Sequence, residues 1–208
     1  MARPIRNYVN PNNLKLMGVP LHMIDKTVED LETFDDEARE ELVKYVTTYI
    51  NNIHYVFRHN KGLFLQGSNG VGKSFIASLI VKEAYRNRYT ARRCTFSEYI
   101  NEYTRMWNCK NREEKEELEG LFYHNYKAVE FLALEEIGKE LDTQLSITVL
   151  EDLLRYREEK GLPTIICTNL PPKTIKEHYG NSIVSLIKGN TKHFKVVGTD
   201  LRISKLED

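Results

Sequence analysis

An eight-residue run from Gly67 to Ser74, Gly-Ser-Asn-Gly-Val-Gly-Lys-Ser, fits the pattern G-x-x-x-x-G-K-[ST]. It follows a short apolar run, 63–66, and precedes a stretch of helical periodicity, 75–85. The glycines allow successive backbone N–H groups to point inward around a phosphate, and the N-terminal dipole of the following helix attracts the same anion. The sequence therefore predicts a strand, a phosphate-binding loop and a helix in that order. The alternative is a glycine-rich turn that binds nothing.

This loop provides the candidate contacts to Mg·ATP. We expect Lys73 to be partly exposed and to reach the β- and γ-phosphates, and we expect the Ser74 hydroxyl to be a ligand of Mg²⁺. The other predicted nucleotide contacts are residues of the loop and the first residue after it, namely Gly67, Ser68, Asn69, Gly70, Val71, Gly72 and Phe75.

Polar side chains follow two later apolar runs. Glu135 and Glu136 come directly after 129–134, and Asn169 follows 163–168. Ligands of parallel sheets bind at the carboxyl ends of the strands, so one carboxylate can serve Mg²⁺ and the other can polarise the attacking water. We assign the metal to Glu135, the water to Glu136, and a donor to the developing phosphate charge to Asn169. The alternatives are a solvated helix start and ordinary turn chemistry.

Apolar runs alternate with helical stretches after residue 60, which is typical of a parallel sheet covered by helices on both faces. The predicted strands are 63–66, 90–96, 129–134, 164–168 and 194–197, and the predicted helices between them are 74–86, 97–107, 143–159 and 173–179. An amphipathic helix is predicted to precede them, from Asp35 to Ile53. We expect an extended or irregular lead-in over residues 1–33 and one ATPase domain over residues 34–208.

Composition limits the classes of function. The 208 residues, 41% of them hydrophobic, suit a single domain, and 30 basic residues balance 30 acidic ones, so no overall field attracts nucleic acid. No apolar run is long enough for a signal peptide or a membrane span, and we expect a cytoplasmic protein without membrane contact. Three cysteines without C-x-x-C spacing indicate neither disulfides nor a zinc site.

Four segments together resemble a known family. They are GLFLQGSNGVGKSFIASLIVKEA, FLALEEIGKE, LEDLLRYREEKGLPTIICTNLPP and GTDLR, and they span about residues 61–202. They look like the bacterial helicase-loader ATPases of the DnaC and DnaI type and the related IstB-like transposition helpers of insertion elements.

The resemblance implies an AAA+ (ASCE) P-loop ATPase with a five-stranded, mostly parallel sheet and a reduced or absent helical lid. It implies ATP and Mg²⁺ as cofactors, and a replicative DNA helicase, single-stranded DNA and further copies of the chain as partners. Lys73 and Ser74 match the Walker A residues, Glu135 and Glu136 the Walker B acids, and Asn169 the first sensor. Arg202 falls where the family carries a late arginine that senses nucleotide.

The chain departs from the family pattern at three places. Glu135 stands where aspartate is usual, and no arginine occurs in 183–187, where the arginine finger is expected. Some 60 residues precede the P-loop where loaders usually carry a separate helicase-binding domain, which fits either a compact phage or mobile-element version or a chain trimmed to its ATPase module. We therefore expect slow ATP hydrolysis without a partner. The alternatives are a transposition helper, a small-molecule kinase, and an ATP-switched interaction protein with negligible hydrolysis.

Two segments are candidates for contact with single-stranded DNA. The region 97–126 mixes cations and aromatic rings, but five glutamates at 113–119 would repel phosphates, and packing of the rings in the core is the alternative. The second patch, near the C-terminus, is equally consistent with a solvated charged surface. The residues are Arg105, Trp107, Lys110, Arg112, Tyr123 and Tyr126 in the first segment and Lys188, Lys192, His193 and Lys195 in the second.

Overall fold

The structure, a computed structural model, describes residues 10–31, 37–140 and 144–198. In these ranges the strands are β1 (Gly62–Gln66), β2 (Ala91–Thr95), β3 (Phe131–Ile137), β4 (Thr164–Thr168) and β5 (Thr191–Lys195). The helices are α1 (Pro11–Leu16), α2 (Glu37–Asn51), α3 (Ile53–Arg58), α4 (Lys73–Arg86), α5 (Phe96–Asn108), α6 (Arg112–Phe122), α7 (Gln144–Lys160) and α8 (Pro172–Asn190). A π-helical turn, Tyr123–Lys127, follows α6, and 3-10 turns lie at Leu21–Met23 and Val28–Leu31.

The strands form a five-stranded sheet in the order β2-β3-β4-β1-β5. All four strand pairings are parallel, so every carboxyl end lies at the same edge. β4 separates β1, which leads into the glycine-rich loop, from β3, which carries the two glutamates. The predicted α/β sheet is confirmed, and its order brings the loop, the glutamates and Asn169 to one edge.

Alternate residues of the buried strands face opposite layers of helices, as the two-residue period of a strand requires. Leu63 and Leu65 pack with α2 and α4, whereas Phe64 packs with the layer that contains α5, α7 and α8. Burial on both faces explains the continuous apolar runs of β1, β3 and β4.

Several boundaries differ from the predicted ones. β5 begins at Thr191 instead of Phe194, because its first residues pair with β1 through the backbone while their side chains stay exposed or half-exposed. β3 continues through both glutamates to Ile137. The predicted helix 173–179 extends to Asn190, with a break at Gly180, whose φ is 81°. The charged stretch 110–119, which lies between the predicted helix 97–107 and the predicted strand 129–134, is largely part of α6.

The described part of the lead-in, 10–31, packs on the domain instead of lying apart from it. Its Leu14, Val19, Met23 and Leu31 side chains are buried in the core beside α4. The predicted division at residue 33 stays a prediction, and the predicted start of α2 at Asp35 lies outside the described residues.

A buried lysine of α4 holds the lead-in. The Lys82 ammonium donates to the carbonyl oxygens of Met23 (3.2 Å), Ile24 (2.5 Å) and Lys26. Burial lowers the pKa of Lys82 to about 8. Because the acceptors are all lead-in backbone atoms, this side chain attaches the lead-in to the helix that follows the P-loop.

Arg157 of α7 joins the amino ends of β3 and β4. Its guanidinium is fully buried and donates to Thr164 Oγ1 (2.8 Å) and to the carbonyls of Val129 (2.7 Å) and Pro163 (2.8 Å). Burial also lowers the pKa of Arg157 to about 9.

We expect Arg157→Met to lower the free energy of unfolding by roughly 3 kcal/mol, because buried acceptors lose their donor. Arg155→Met is the matched control, since Arg155 lies two residues away on α7 and its hydrogen bonds are on the surface; it should cost less than about 1 kcal/mol. Urea denaturation of both variants measures the difference. Equal losses would contradict a structural role for the buried guanidinium.

Candidate functional site

The loop between β1 and α4 has the backbone that its glycines predict. Gly70 and Gly72 have φ of 74° and 99°, in the left-handed region, and Gly72 caps the N-terminus of α4. A Cβ on Gly67 would lie 2.1 Å from the Val196 carbonyl oxygen, so only glycine fits where the loop passes β5. Gly67 N–H donates to the Thr168 carbonyl (3.1 Å), which continues the β1–β4 pairing into the loop.

Lys73 is the first residue of α4, and its side chain turns back into the loop. Its ammonium donates to the carbonyl oxygens of Gly67 (2.7 Å) and Ser68 (2.6 Å). The residue is only 9% exposed, so the expectation of a partly exposed lysine is wrong. The reason is that the loop carbonyls offer acceptors within reach of a long side chain. An incoming phosphate would compete with these carbonyls for the ammonium.

Ser74, Glu135 and Arg93 form one hydrogen-bonded group. Ser74 Oγ donates to Glu135 Oε2 (3.1 Å), while Arg93 donates from Nη2 to Oε2 (2.6 Å) and from Nε to Oε1 (3.1 Å). Glu135 is 3% exposed. Burial raises the pKa of its carboxyl, and the Arg93 guanidinium opposes that rise. The Arg93 guanidinium thus offsets part of the cost of burying this carboxylate.

Glu136 reaches the same space through an irregularity in β3. Successive strand residues normally point to opposite faces, but the register with β4 shifts between Leu134 and Ile137, and Glu136 has φ of 60°. Its carboxylate is half-exposed and pairs with Lys139 (2.6 Å). The two adjacent glutamates therefore differ: Glu135 is buried and fully engaged, whereas Glu136 is accessible.

Asn169 follows β4 and closes the edge of the site. Its Nδ2 donates to Asn69 Oδ1 of the loop (2.7 Å). This contact joins the residue after β4 to the loop that follows the neighbouring strand β1, and it places an amide donor beside the loop.

These side chains line a cavity of about 810 Å³. Of the predicted site residues it brings together Asn69, Gly70, Gly72, Lys73, Ser74, Phe75, Glu135, Glu136 and Asn169. Gly67, Ser68 and Val71 are not among the lining residues, although the first two bind Lys73 through their carbonyls. Arg202 lies outside the described residues.

Several residues that line the cavity were not predicted from the sequence. Arg93 and Thr95 of β2, Lys139, and five lead-in residues, Pro20, His22, Met23, Lys26 and Asp30, also line the cavity. The signal that could have found Arg93 is its charge within a strand predicted to be buried. The lead-in carried no signal of this kind.

The Ser74 hydroxyl and the Glu135 carboxylate fit Mg²⁺, which prefers hard oxygen ligands and needs only one or two from the protein when phosphates are bound. The hydroxyl can donate to Glu135 while its lone pairs remain available to a cation. Among the described residues, no group of three or more His, Cys, Asp or Glu side chains could hold a metal ion.

Most residues of the first DNA candidate segment are engaged within the chain. Tyr126 accepts from Arg92 (2.6 Å), Tyr123 shares a hydrogen bond with Tyr156 (2.8 Å), and Arg112 pairs with Glu116 (3.1 Å). Trp107 is 58% exposed and lies under the Lys115 ammonium, 4.9 Å from the ring centre. Lys110 is exposed, and Arg105 pairs with Glu102 at 3.7 Å.

In the second candidate patch, the ammonium of Lys192 lies 4.2 Å from the ring centre of Tyr45, and His193 packs against Phe64 with ring centres 5.0 Å apart. Lys188 and Lys195 are exposed. Over the described residues, no helix is both long and apolar enough to pass through a bilayer.

Comparison with known proteins shows that this chain is similar to replication proteins. The replicative helicase loader DnaI of Bacillus subtilis (strain 168) is 25% identical over 167 residues, which cover 80% of this chain and 51% of DnaI. The chain thus spans about half the length of the curated relative it matches. No model of a protein family matches the chain.

Solved structures show the same architecture. A DnaC helicase loader matches with a TM-score of 0.70 and 16% identity, covering 85% of this chain and 99% of that one. A replication initiator DnaA bound to AMPPCP and single-stranded DNA matches with a TM-score of 0.65 and 16% identity, covering 87% and 54%. The fold is therefore the α/β P-loop fold of the AAA+ type, as predicted, and the resemblance to DnaC and DnaI loaders is confirmed.

Proposed function

We propose that this chain binds and hydrolyses Mg·ATP and acts as a loader of a replicative DNA helicase. One observation carries the ATPase assignment: the hydroxyl of Ser74 donates to the buried carboxylate of Glu135, and the accessible carboxylate of Glu136 lines the same cavity. A P-loop, a metal position and a second carboxylate are the parts that hydrolysis of a phosphoanhydride needs.

The side chains take different roles in this proposal. Lys73 would leave the loop carbonyls for the β- and γ-phosphates, and Ser74 and Glu135 would hold Mg²⁺, which would neutralise charge on the phosphates. Glu136 accepts a proton from the attacking water, because its carboxylate is accessible and its Lys139 partner is a half-exposed surface group. Asn169 donates its amide to the γ-phosphate region.

The partner assignment rests on the relatives. DnaI and DnaC are helicase loaders by name, and a DnaA of similar fold is bound to single-stranded DNA. We infer that this chain assembles on a replicative helicase in DNA replication, helps to place it on single-stranded DNA, and works in the cytoplasm as a homo-oligomer.

We expect the purified chain to hydrolyse ATP slowly, because residues 183–187, where the arginine finger is expected, contain no arginine. An arginine finger raises the rate of hydrolysis by roughly 10³ to 10⁵. Adding the helicase with single-stranded DNA should raise turnover if that partner supplies the cation. A steady-state phosphate-release assay with each component alone and together measures this. Fast turnover by the isolated chain at monomeric dilution would show that no partner arginine is needed.

A second candidate function is an ATP-controlled interaction protein with negligible hydrolysis. The observation in its favour is that both oxygens of Glu135 are already engaged by Arg93. The same assay separates the two functions, since a pure switch would bind ATP and the helicase without measurable turnover in any combination.

We expect binding to single-stranded DNA to depend weakly on salt, because acidic and basic residues balance. Two to four phosphate contacts correspond to a slope of log K on log salt of about −1.5 to −3. Fluorescence anisotropy with a labelled oligonucleotide measures it. A Lys188→Gln, Lys195→Gln double variant should make the slope shallower by about 1.4, because each lost phosphate contact removes about 0.7. No binding at low salt, with or without ATP, would remove DNA from the partners.

A further inference from the structure

Arg93 makes contacts on two sides of its strand, and its role as counter-ion to Glu135 explains only one of them. Toward β3 its Nε and Nη2 donate to both oxygens of Glu135. Toward the lead-in its Nη1 donates to the Gly18 carbonyl (2.8 Å). One guanidinium thus joins the proposed metal carboxylate to a segment that is some 75 residues away in sequence.

The backbone around Arg93 strengthens this junction. Arg93 N–H donates to the Met17 carbonyl (2.8 Å), so the lead-in pairs with the outer edge of β2. At Gly18, φ is 81°, and a Cβ there would lie 2.0 Å from the Arg93 carbonyl oxygen. The close approach requires glycine, and it keeps Gly18 within reach of the guanidinium.

The lead-in that Arg93 holds is also a wall of the cavity. Pro20, His22 and Met23 lie within five residues after Gly18, and they line the same cavity as Lys73 and Glu135. A change in the hydrogen bonding of Glu135 can therefore affect the position of the lead-in through the Arg93 side chain alone.

We infer that Arg93 is a positioning residue that couples occupation of the metal site to the docking of the lead-in. The inference rests on the proposed Mg·ATP binding. A divalent cation at Ser74 and Glu135 repels the guanidinium and draws on the same carboxylate oxygens, so the Arg93–Glu135 pair weakens. Arg93 then loses its counter-ion, and its hold on Gly18 loosens. By reciprocity, a docked lead-in weakens binding of the cation.

Arg92 provides a matched control. It is the neighbouring residue of β2, and its Nη1 donates to the Leu16 carbonyl (2.7 Å) of the same lead-in. Its Nη2 donates to the Tyr126 hydroxyl, and its guanidinium also packs over the Tyr126 ring. As the neighbour of Arg93 in a strand, Arg92 points to the opposite face of the sheet, away from Glu135. Arg92→Met and Arg93→Met each remove one side-chain hydrogen bond to the lead-in, but only Arg93→Met also removes the hydrogen bonds to Glu135.

The first measurement is the ratio of the dissociation constants of a fluorescent ATP derivative in EDTA and in saturating Mg²⁺. In Arg93→Met this ratio should rise about tenfold or more above wild type, because a competing positive charge is gone. In Arg92→Met it should stay within about twofold of wild type. Arg93→Lys keeps the positive charge but loses the planar guanidinium that donates to two partners at once, and its ratio should be near that of the wild type.

The second measurement is amide hydrogen exchange of the lead-in, residues 13–24, with the ATP derivative bound. In wild type and Arg92→Met, exchange should be faster in Mg²⁺ than in EDTA. In Arg93→Met and Arg93→Lys, this dependence on Mg²⁺ should disappear. Thermal melts establish that each variant is folded, and Arg93→Lys alone suffices for this measurement if Arg93→Met does not fold.

The outcomes separate the two levels of the hypothesis. Absence of ATP binding by the wild type, with and without Mg²⁺, would overturn the proposed function. ATP binding in which the Arg92 and Arg93 variants share the same ratio and the same Mg²⁺-dependent exchange would overturn only the coupling role of Arg93.

Discussion

Replacing Lys73 by alanine is expected to lower nucleotide affinity by about 100-fold or more, because the phosphates lose two charge-assisted hydrogen bonds. The fold should persist. The ammonium donates to two carbonyls of the loop, Gly67 and Ser68, and water can replace it at an open cavity. We expect a fall in melting temperature of about 2–4 °C. Calorimetric titration with an ATP analogue, together with thermal melts, measures both effects.

Lys139→Ala is the control for this variant. Lys139 lines the same cavity but is half-exposed and pairs with Glu136, so its loss should change affinity by less than about threefold. If Lys73→Ala binds nucleotide as tightly as the wild type, the assignment of the loop as the phosphate site is wrong.

Replacing Glu136 by glutamine should lower turnover by about 10² to 10⁴ while nucleotide affinity stays within about threefold, because the amide keeps the shape and loses the basicity. Stability should hardly change, since Glu136 is half-exposed. Rates at saturating ATP, with the helicase present, and equilibrium binding without turnover measure the two quantities.

Glu135→Gln should behave differently, because the buried Glu135 carboxylate neutralises Arg93. We expect a loss of unfolding free energy of roughly 2 kcal/mol, because the Arg93 guanidinium, only 17% exposed, loses its charged partner, and we expect a loss of the Mg²⁺ dependence of binding. If Glu135→Gln stops hydrolysis at unchanged stability, and Glu136→Gln retains it, the two glutamates have exchanged roles.

Local patterns in the sequence predicted the fold class and the parts of the site. The glycines of the loop and the apolar strands around it each act on neighbouring residues, so their consequences can be derived from short segments. The β4 strand was predicted at its observed bounds, since Thr164–Thr168 is buried throughout. At β5 the same reasoning misplaced the start, because pairing with β1 through the backbone is independent of hydropathy.

The exposure of Lys73 was predicted wrongly for a related reason. The pattern indicates that a lysine stands at the start of α4, and its chemistry suits phosphate. Whether its ammonium faces solvent or the loop carbonyls depends on the folded path of residues 67–72, which brings acceptors within reach.

The sequence by itself determined that the chain has a P-loop, five strands and two acids at the end of the third, because each is encoded within a few adjacent residues. Only the tertiary structure decided that β4 lies between β1 and β3, that Arg93 pairs with Glu135, and that the lead-in forms a wall of the cavity. These contacts join residues far apart in the chain. They depend on strand order and register, which short-range patterns do not specify.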